Sequence, residues 1–203
     1  MSSVLVPPNS LPSERRRVCM GKWVDVCYPL PSDYPFLIAL RNRADVRRWF
    51  IDNRVIEVPQ AAAWLAARST RRDDVLLLIR HRKRDLNIGS IGWTQLNETS
   101  KTAEFGRLAV DPEVLRKLAR DDESRSILAE LALDACLAVR DYAFSELGLT
   151  ALLTCYKTGN VAAAAINKAC GMMPSARTEG VEDGMTHLEL TRQHWEKIRS
   201  NNQ

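Results

Sequence analysis

The chain has 203 residues, of which 45% are hydrophobic and 27% charged, a size and balance that fit one soluble domain with a sizeable core. Its formal net charge is +4, and without interleaved basic and aromatic residues so small an excess excludes a nucleic-acid binder and leaves, at most, an anionic small ligand. No apolar run reaches membrane-spanning length and no signal-peptide pattern opens the chain, so no membrane partner and a cytoplasmic location are expected.

Residues 1–17 contain Pro7, Pro8 and Pro12 ahead of Arg15–Arg17, a composition that predicts an irregular arm in front of a single domain over 18–203. Val24–Tyr28 reads as a short strand. Asp33 is placed to cap a helix over Tyr34–Asn42, and a second short helix follows at Asp45–Phe50. Pro59 suits the first turn of a helix from Gln60 to Arg68, with Trp64 and Leu65 on its buried side. Val75–Ile79 and Asn87–Leu96 are predicted strands, with Gly89 and Gly92 marking a bulge or a close backbone approach. The Asn, Thr and Ser of Asn97–Lys101 predict a turn, so Thr102–Val110 should pair antiparallel with the strand before it.

Asp111–Arg125 reads as a charged turn. From Ser124 to Leu147 the periodicity is helical: Ile127, Leu131, Ala135, Ala138 and Tyr142 form one stripe, and Gly148 ends it. A strand at Ala151–Tyr156 and a helix over 161–170 repeat the pattern, closed by Gly171. Two more strands near Met173–Thr178 and Met185–Leu190 precede a polar tail. The long helix between Thr102–Val110 and Ala151–Tyr156 implies that these two strands are parallel within an otherwise mostly antiparallel sheet, an α/β (α+β) fold with helices on both faces.

The five cysteines, Cys19, Cys27, Cys136, Cys155 and Cys170, form no Cys-x-x-Cys pair and read as free thiols; Cys136 and Cys155 fall within apolar patterns and read as core. His81, His187 and His194 are scattered, with no metal-ligand spacing, so no metal is expected. Glu104 stands out. It lies on a strand, on the face opposite Phe105, a few residues ahead of a helix start, and a partly desolvated carboxylate there suits proton removal from an ammonium. On composition alone the surface residue of a half-exposed strand is the better reading.

The segment Ala-Glu-Phe-Gly-Arg-Leu-Ala-Val (103–110), the amphipathic helix, the strand at 151–156, and Asn160, Ala163, Gly171 and Met172 together resemble the GNAT superfamily of acetyl-coenzyme A-dependent N-acetyltransferases. The resemblance implies the GNAT fold, with a parallel strand pair splayed apart, and acetyl-coenzyme A as cosubstrate. It implies Glu104 as general base, and backbone groups of Leu108, Ala109 and Val110 that receive the acyl carbonyl and the pantetheine amides. The family's glycine-rich pyrophosphate loop is absent between Asp111 and Arg125, where Arg116, Lys117, Arg120 and Arg125 offer charge-assisted contacts in its place. Asn160 and Ala163 match the family's cofactor-contacting spacing. Where the family often carries a tyrosine acid, seven residues on, this chain has Asn167; either Asn167 hydrogen-bonds the sulfur, water protonates it, or Tyr156 substitutes.

A softer similarity covers Leu40-Arg41-Asn42, Val46-Arg47, Trp49-Phe50, Gln60 and Trp64, which look like the acceptor-side helices of GNAT members that modify amino sugars or protein N-terminal amines. Arg41, Asn42 and Trp93 are then candidate acceptor-site residues. The implied function is acetyl transfer to a primary amine of a small molecule, with a protein N-terminal amine or a non-catalytic ligand-binding module as the alternatives.

Overall fold

The computed structural model describes residues 15–68, 71–121, 127–176 and 184–201, with side chains for all of these but 119–121 and 127–129. Eight strands form one sheet in the order β1-β2-β3-β4-β5-β6-β8-β7. They are β1 (Arg17–Met20), β2 (Val24–Cys27), β3 (Val75–His81), β4 (Leu86–Asn97), β5 (Thr102–Val110), β6 (Ala151–Lys157), β7 (Met173–Pro174) and β8 (Met185–Thr191). The helices are α1 (Tyr34–Asn42), α2 (Ala44–Arg47), α3 (Val58–Arg68), α4 (Pro112–Asp121), α5 (Ile127–Ser145), α6 (Val161–Ala169) and α7 (Arg192–Asn201).

The sheet separates two apolar layers. On one face α5 lays Leu131, Ala135, Cys136 and Val139 on Val24, Val26, Leu77, Ile79, Trp93 and Phe105, joined by Leu115 and Leu118 of α4 and Trp195 of α7. On the other, α1 and α3 pack Leu37, Ile38, Ala61 and Leu65 against Cys27 and Leu78. This alternation follows from strands buried on both sides, which read as apolar runs. Helices on both faces of a mixed, mostly antiparallel sheet match the expected fold class.

Several expectations hold closely. The predicted helix over Tyr34–Asn42 is α1, and β4 and β5 pair antiparallel across the predicted turn. Gly89 and Gly92 do mark close approaches: a Cβ on Gly89 would lie 2.1 Å from the Ala109 carbonyl oxygen, and one on Gly92 would lie 1.9 Å from that of Val75. Gly148 (φ 67°) and Gly171 (φ 83°) end α5 and α6 in the left-handed region.

Other expectations need correction. The arm boundary is displaced, since Arg17 opens β1 and pairs with Cys27. Asp33 makes no side-chain cap to α1; its carboxylate takes the Arg15 guanidinium at 2.7 Å and the Leu30 N–H at 2.7 Å. Trp64 is half-exposed rather than on the buried side of α3, its ring lying 4.2 Å from the Arg68 guanidinium and 5.0 Å from that of Arg107. The presumed turn after Asp111 is largely helix. Pro112 suits a first helical position, the Asp111 carboxylate accepts the Glu113 N–H at 2.8 Å, and Leu115 and Leu118 share the buried side. The expected start of the long helix at Ser124 lies outside the described residues. The polar tail contains α7, whose Trp195 stacks on Phe144 at 5.1 Å and donates to Asp141 at 2.7 Å.

A long-range anchor fixes the β1–β2 turn. The Asp134 carboxylate of α5 accepts the N–H groups of Lys22 (2.8 Å), Trp23 (2.7 Å) and Val24 (3.1 Å). Gly21 makes room for it, since a Cβ there would sit 2.4 Å from the carboxylate and displace it.

Candidate active site

β5 and β6 are the parallel pair, and their pairing is short. Thr102 meets Ala151, Ala103 meets Leu152 and Glu104 meets Leu153, and the ladder stops there. β5 continues to Val110 along β4, and β6 continues to Lys157 along β8. Between the two, residues 105–110 and 154–157 face each other without sheet hydrogen bonds. The chain bends at a bulge on the β4 side of β5, where Arg107 takes φ 55° and its carbonyl accepts from the Ser90 hydroxyl at 3.0 Å. α4 begins just past Asp111, the residue after β5, and α6 follows β6 after the short 158–160 turn, so two helix N-termini flank the open mouth.

Glu104 lies at the inner end of this gap, half-buried, while Ala103 and Phe105 are buried on the α5 face. In-register pairing puts Glu104 and Leu153 on the same face, so Cys155 shares it and Tyr156 faces the other way. The Cys155 thiol donates to Glu104 Oε1 at 3.4 Å. Next on the same face is Gly106, where an added Cβ would meet nothing within 4 Å, leaving open space beside the carboxylate. Arg107 follows, its guanidinium 2.6 Å from Asp74, which also takes Arg68 at 2.7 Å. Burial pushes the Arg107 guanidinium below its usual range, with Asp74 and Glu104 opposing that shift.

Of the expected cofactor residues, Leu108, Ala109 and Val110 end β5, while Asn160 and Ala163 lie at the start of α6. Leu108 and Val110 are half-buried and pack their side chains on the core, Ala109 is buried, and their backbones form the β5 edge. Arg116 and Lys117 lie on the exposed side of α4. The Arg120 side chain and all of Arg125 lie outside the described residues. Asn160 caps α6, its Oδ1 accepting the Ala163 N–H at 3.1 Å. Asn167 is buried on α6 at 7% exposure, and Tyr156 is half-buried on the strand face opposite Glu104. The structure therefore joins Glu104 with Leu108–Val110 along one strand and separates Tyr156 from Glu104 by the thickness of the sheet.

The acceptor-side residues behave differently from one another. Arg41 stacks its guanidinium 4.1 Å from the Phe50 ring and bonds the Asp52 carbonyl. The Asn42 amide both donates to the Ile56 carbonyl and accepts its N–H, each at 2.8 Å. Both residues brace the segment between α2 and α3. Trp93 is 2% exposed, in the α5-side core, and its indole donates to the Arg72 carbonyl at 3.2 Å; that burial leaves it no face for an acceptor, which corrects the expectation.

Residues absent from the sequence reading complete the mouth. Arg43 pairs with Glu113 at 3.0 Å and with Asp111 at 3.7 Å, while Lys157 donates to the Arg48 carbonyl at 3.0 Å. The 43–57 segment is thus tied to both strand ends. The parity of Cys155 with Glu104 is readable once the parallel register is known; Arg43 and Lys157 carry no local signal. Among the described residues no group of three or more His, Cys, Asp or Glu side chains is placed to hold a metal ion.

Comparison with known proteins agrees with this geometry. A family model described as an acetyltransferase (GNAT) domain matches residues 28–173. An acetyltransferase of the GNAT family from Bacillus anthracis superposes with a TM-score of 0.68 at 12% identity, over 86% of this chain and 99% of the other. Spermidine N-acetyltransferase from Vibrio cholerae, solved with CoA and spermine, gives 0.67 at 14% identity over 85% and 98%. FdhC, a nucleotide-linked sugar GNAT, gives 0.67 at 13% identity over 90% and 94%. No curated protein matches the sequence.

Proposed function

This chain belongs to the GNAT family of acetyl-coenzyme A-dependent N-acetyltransferases, and from that premise we propose that it moves the acetyl group to a primary amine of a small molecule such as an amino sugar. The observation that carries this reading is the end of the β5–β6 ladder at Glu104↔Leu153, which leaves two open backbone edges beyond a carboxylate. An extended thioester arm fits such edges through main-chain hydrogen bonds.

In this reading the acceptor amine enters from the α1/α3 side, over Gly106. Glu104 takes the ammonium proton, directly or through one water, and the free amine attacks the thioester carbonyl. Backbone N–H groups near Leu108, Ala109 and Val110 hold the carbonyl oxygen as it gains charge. The carbon–sulfur bond breaks, and the sulfur leaves on the opposite side of the sheet, where Tyr156 is the candidate proton donor and Asn167 a hydrogen-bond donor. Arg116 and Lys117, extended in sequence by Arg120 and Arg125, supply the charge that the absent glycine loop would otherwise supply through bare amides; Asn160 and Ala163 flank the other strand end.

The acceptor side is rich in cations. Arg41, Arg43, Arg47, Arg48 and Arg54 lie between positions 41 and 54, against Asp45 and Asp52. That balance favours an amine carried on an anionic molecule, such as a phosphorylated or nucleotide-linked amino sugar, over a bare polyamine. Five cysteines, none of them in a disulfide, support a reducing, cytoplasmic setting.

The test is calorimetric titration with acetyl-coenzyme A, followed by a thiol-release assay on a nucleotide-linked amino sugar, spermidine and a peptide with a free N-terminal amine. Binding with thiol release, greatest for the anionic amino sugar, is the expected result. Binding without release for any amine supports a non-catalytic module instead. No binding overturns the reading.

A further inference from the structure

We propose that Cys155 is a positioning residue for Glu104, its thiol orienting the carboxylate toward the gap. The inference rests on Glu104 as the base and adds a second residue to its machinery.

Three observations carry it. The Cys155 thiol donates to Glu104 Oε1 at 3.4 Å, across the point where β5 and β6 have just parted. Glu104 closes the ladder opposite Leu153 and Cys155 lies two residues past that last pair, so the thiol ties the carboxylate to β6 just where the strands part. Beyond Glu104 the face is open at Gly106, so the carboxylate has room to swing unless something holds it. Finally, Cys155 is itself held from behind: it pairs with His187 on β8, whose side chain is on the same face. His187 Nε2 is buried without a hydrogen-bond partner.

A thiol is well suited to this task. It is a weak donor, so it orients one carboxylate oxygen and leaves the other to accept the substrate proton. A hydrogen bond to the ionised carboxylate also favours the form that accepts a proton. The charged and titratable groups of this face on the neighbouring strands include Arg107 on β5, Lys157 on β6, and His187 and Glu189 on β8, where Glu189 accepts from the Ser175 hydroxyl at 3.1 Å. Arg68 of α3 and Asp74 ahead of β3 complete the set through Arg107. Arg107 is held by Asp74, and Lys157 donates to the Arg48 carbonyl, which leaves Cys155 as the donor in contact with Glu104 among the described residues.

The experiment has two arms. In the first, pH–rate curves for thiol release are compared among the wild type, Cys155→Ala and Cys155→Ser. Cys155→Ala is expected to lose roughly three- to tenfold in kcat, with KM for acetyl-coenzyme A unchanged. The acid limb of its curve moves upward by roughly half a pH unit, because the ionised carboxylate has lost a donor. Cys155→Ser keeps a donor and is expected to restore both. Overlaid curves for the wild type and Cys155→Ala overturn the proposal.

The second arm needs no turnover. The rate of Cys155 alkylation by iodoacetamide, followed by peptide mass spectrometry, is measured against pH in the wild type and in Glu104→Gln. A carboxylate beside the thiol disfavours the thiolate, so Glu104→Gln is expected to speed alkylation at pH 8 by about threefold or more. Equal rates overturn the proposal. If no amine gives thiol release yet the alkylation rates differ, the pairing stands and the reading of Glu104 as base fails.

Discussion

The Arg43 guanidinium, between α1 and α2, lies 3.0 Å from the Glu113 carboxylate in the first turn of α4. The contact spans 70 positions of sequence and links the 43–57 segment to the helix that follows β5. Hydrogen bonds to Asp45 and Glu113 raise the Arg43 guanidinium above its ordinary value. Arg43 is half-buried and Glu113 faces solvent, so the pair is open to counterions from the Glu113 side and salt should weaken it.

Arg43→Ala is therefore expected to raise KM for the acceptor by about two- to threefold, with KM for acetyl-coenzyme A and the melting temperature unchanged. Steady-state kinetics at low and high salt check this. The wild type should approach the variant as ionic strength rises; a variant defective toward acetyl-coenzyme A alone would contradict it.

Gly106 makes a sharper prediction about shape. An added side chain there meets no atom within 4 Å, and the backbone is outside the left-handed region that disfavours other residues. Gly106→Leu should fold with a melting temperature close to the wild type, yet lose about tenfold or more in kcat/KM as the side chain fills the space beside Glu104. Thermal melts and thiol-release kinetics on the same sample decide it. A folded variant with full activity would move the acceptor path elsewhere.

Asp33 gives the stability a defined acid dependence. Burial alone would push its carboxyl up. The Arg15 guanidinium, the Leu30 N–H and the Asn87 amide more than offset this, and hold it below its ordinary value. A depressed carboxylate contributes stability above its unfolded pKa of about 3.9 and loses it as pH falls through the folded value. Asp33→Asn should lower stability at pH 7 by about 1–3 kcal/mol, with a smaller loss on acidification from pH 5 to pH 3 than the wild type shows. Urea melts across that range test the slope; parallel slopes would contradict the assignment.

The core of this fold is legible in the sequence because its patterns are local. Apolar runs around Val75–Ile79, glycines where backbones cross at Gly89 and Gly92, and Gly148 after a long amphipathic stretch each announce their element. α4 is harder to see. Its charged surface and lack of glycine look like a solvated turn, although Pro112 and the Leu115/Leu118 spacing were available to identify it. α7 is hidden for a related reason: most of its residues are polar, and its burial rests on Trp195 against Phe144.

At the site, Glu104 and the Leu108–Val110 edge follow from one strand and one family pattern. Cys155, Arg43 and Lys157 do not, because their roles depend on strand register and on contacts across long stretches of chain. Trp93 is open to either an acceptor contact or the core as far as sequence goes, and its parity with Phe105, directly opposite on β5, sends it into the core.

The most direct test of the account is the pH dependence of thiol release in Glu104→Gln. The account predicts a folded protein that binds acetyl-coenzyme A as the wild type does. It also predicts a turnover lower by about a hundredfold or more, and loss of the acid limb of the pH–rate curve. A Glu104→Gln variant whose turnover and pH–rate curve coincide with those of the wild type would contradict it.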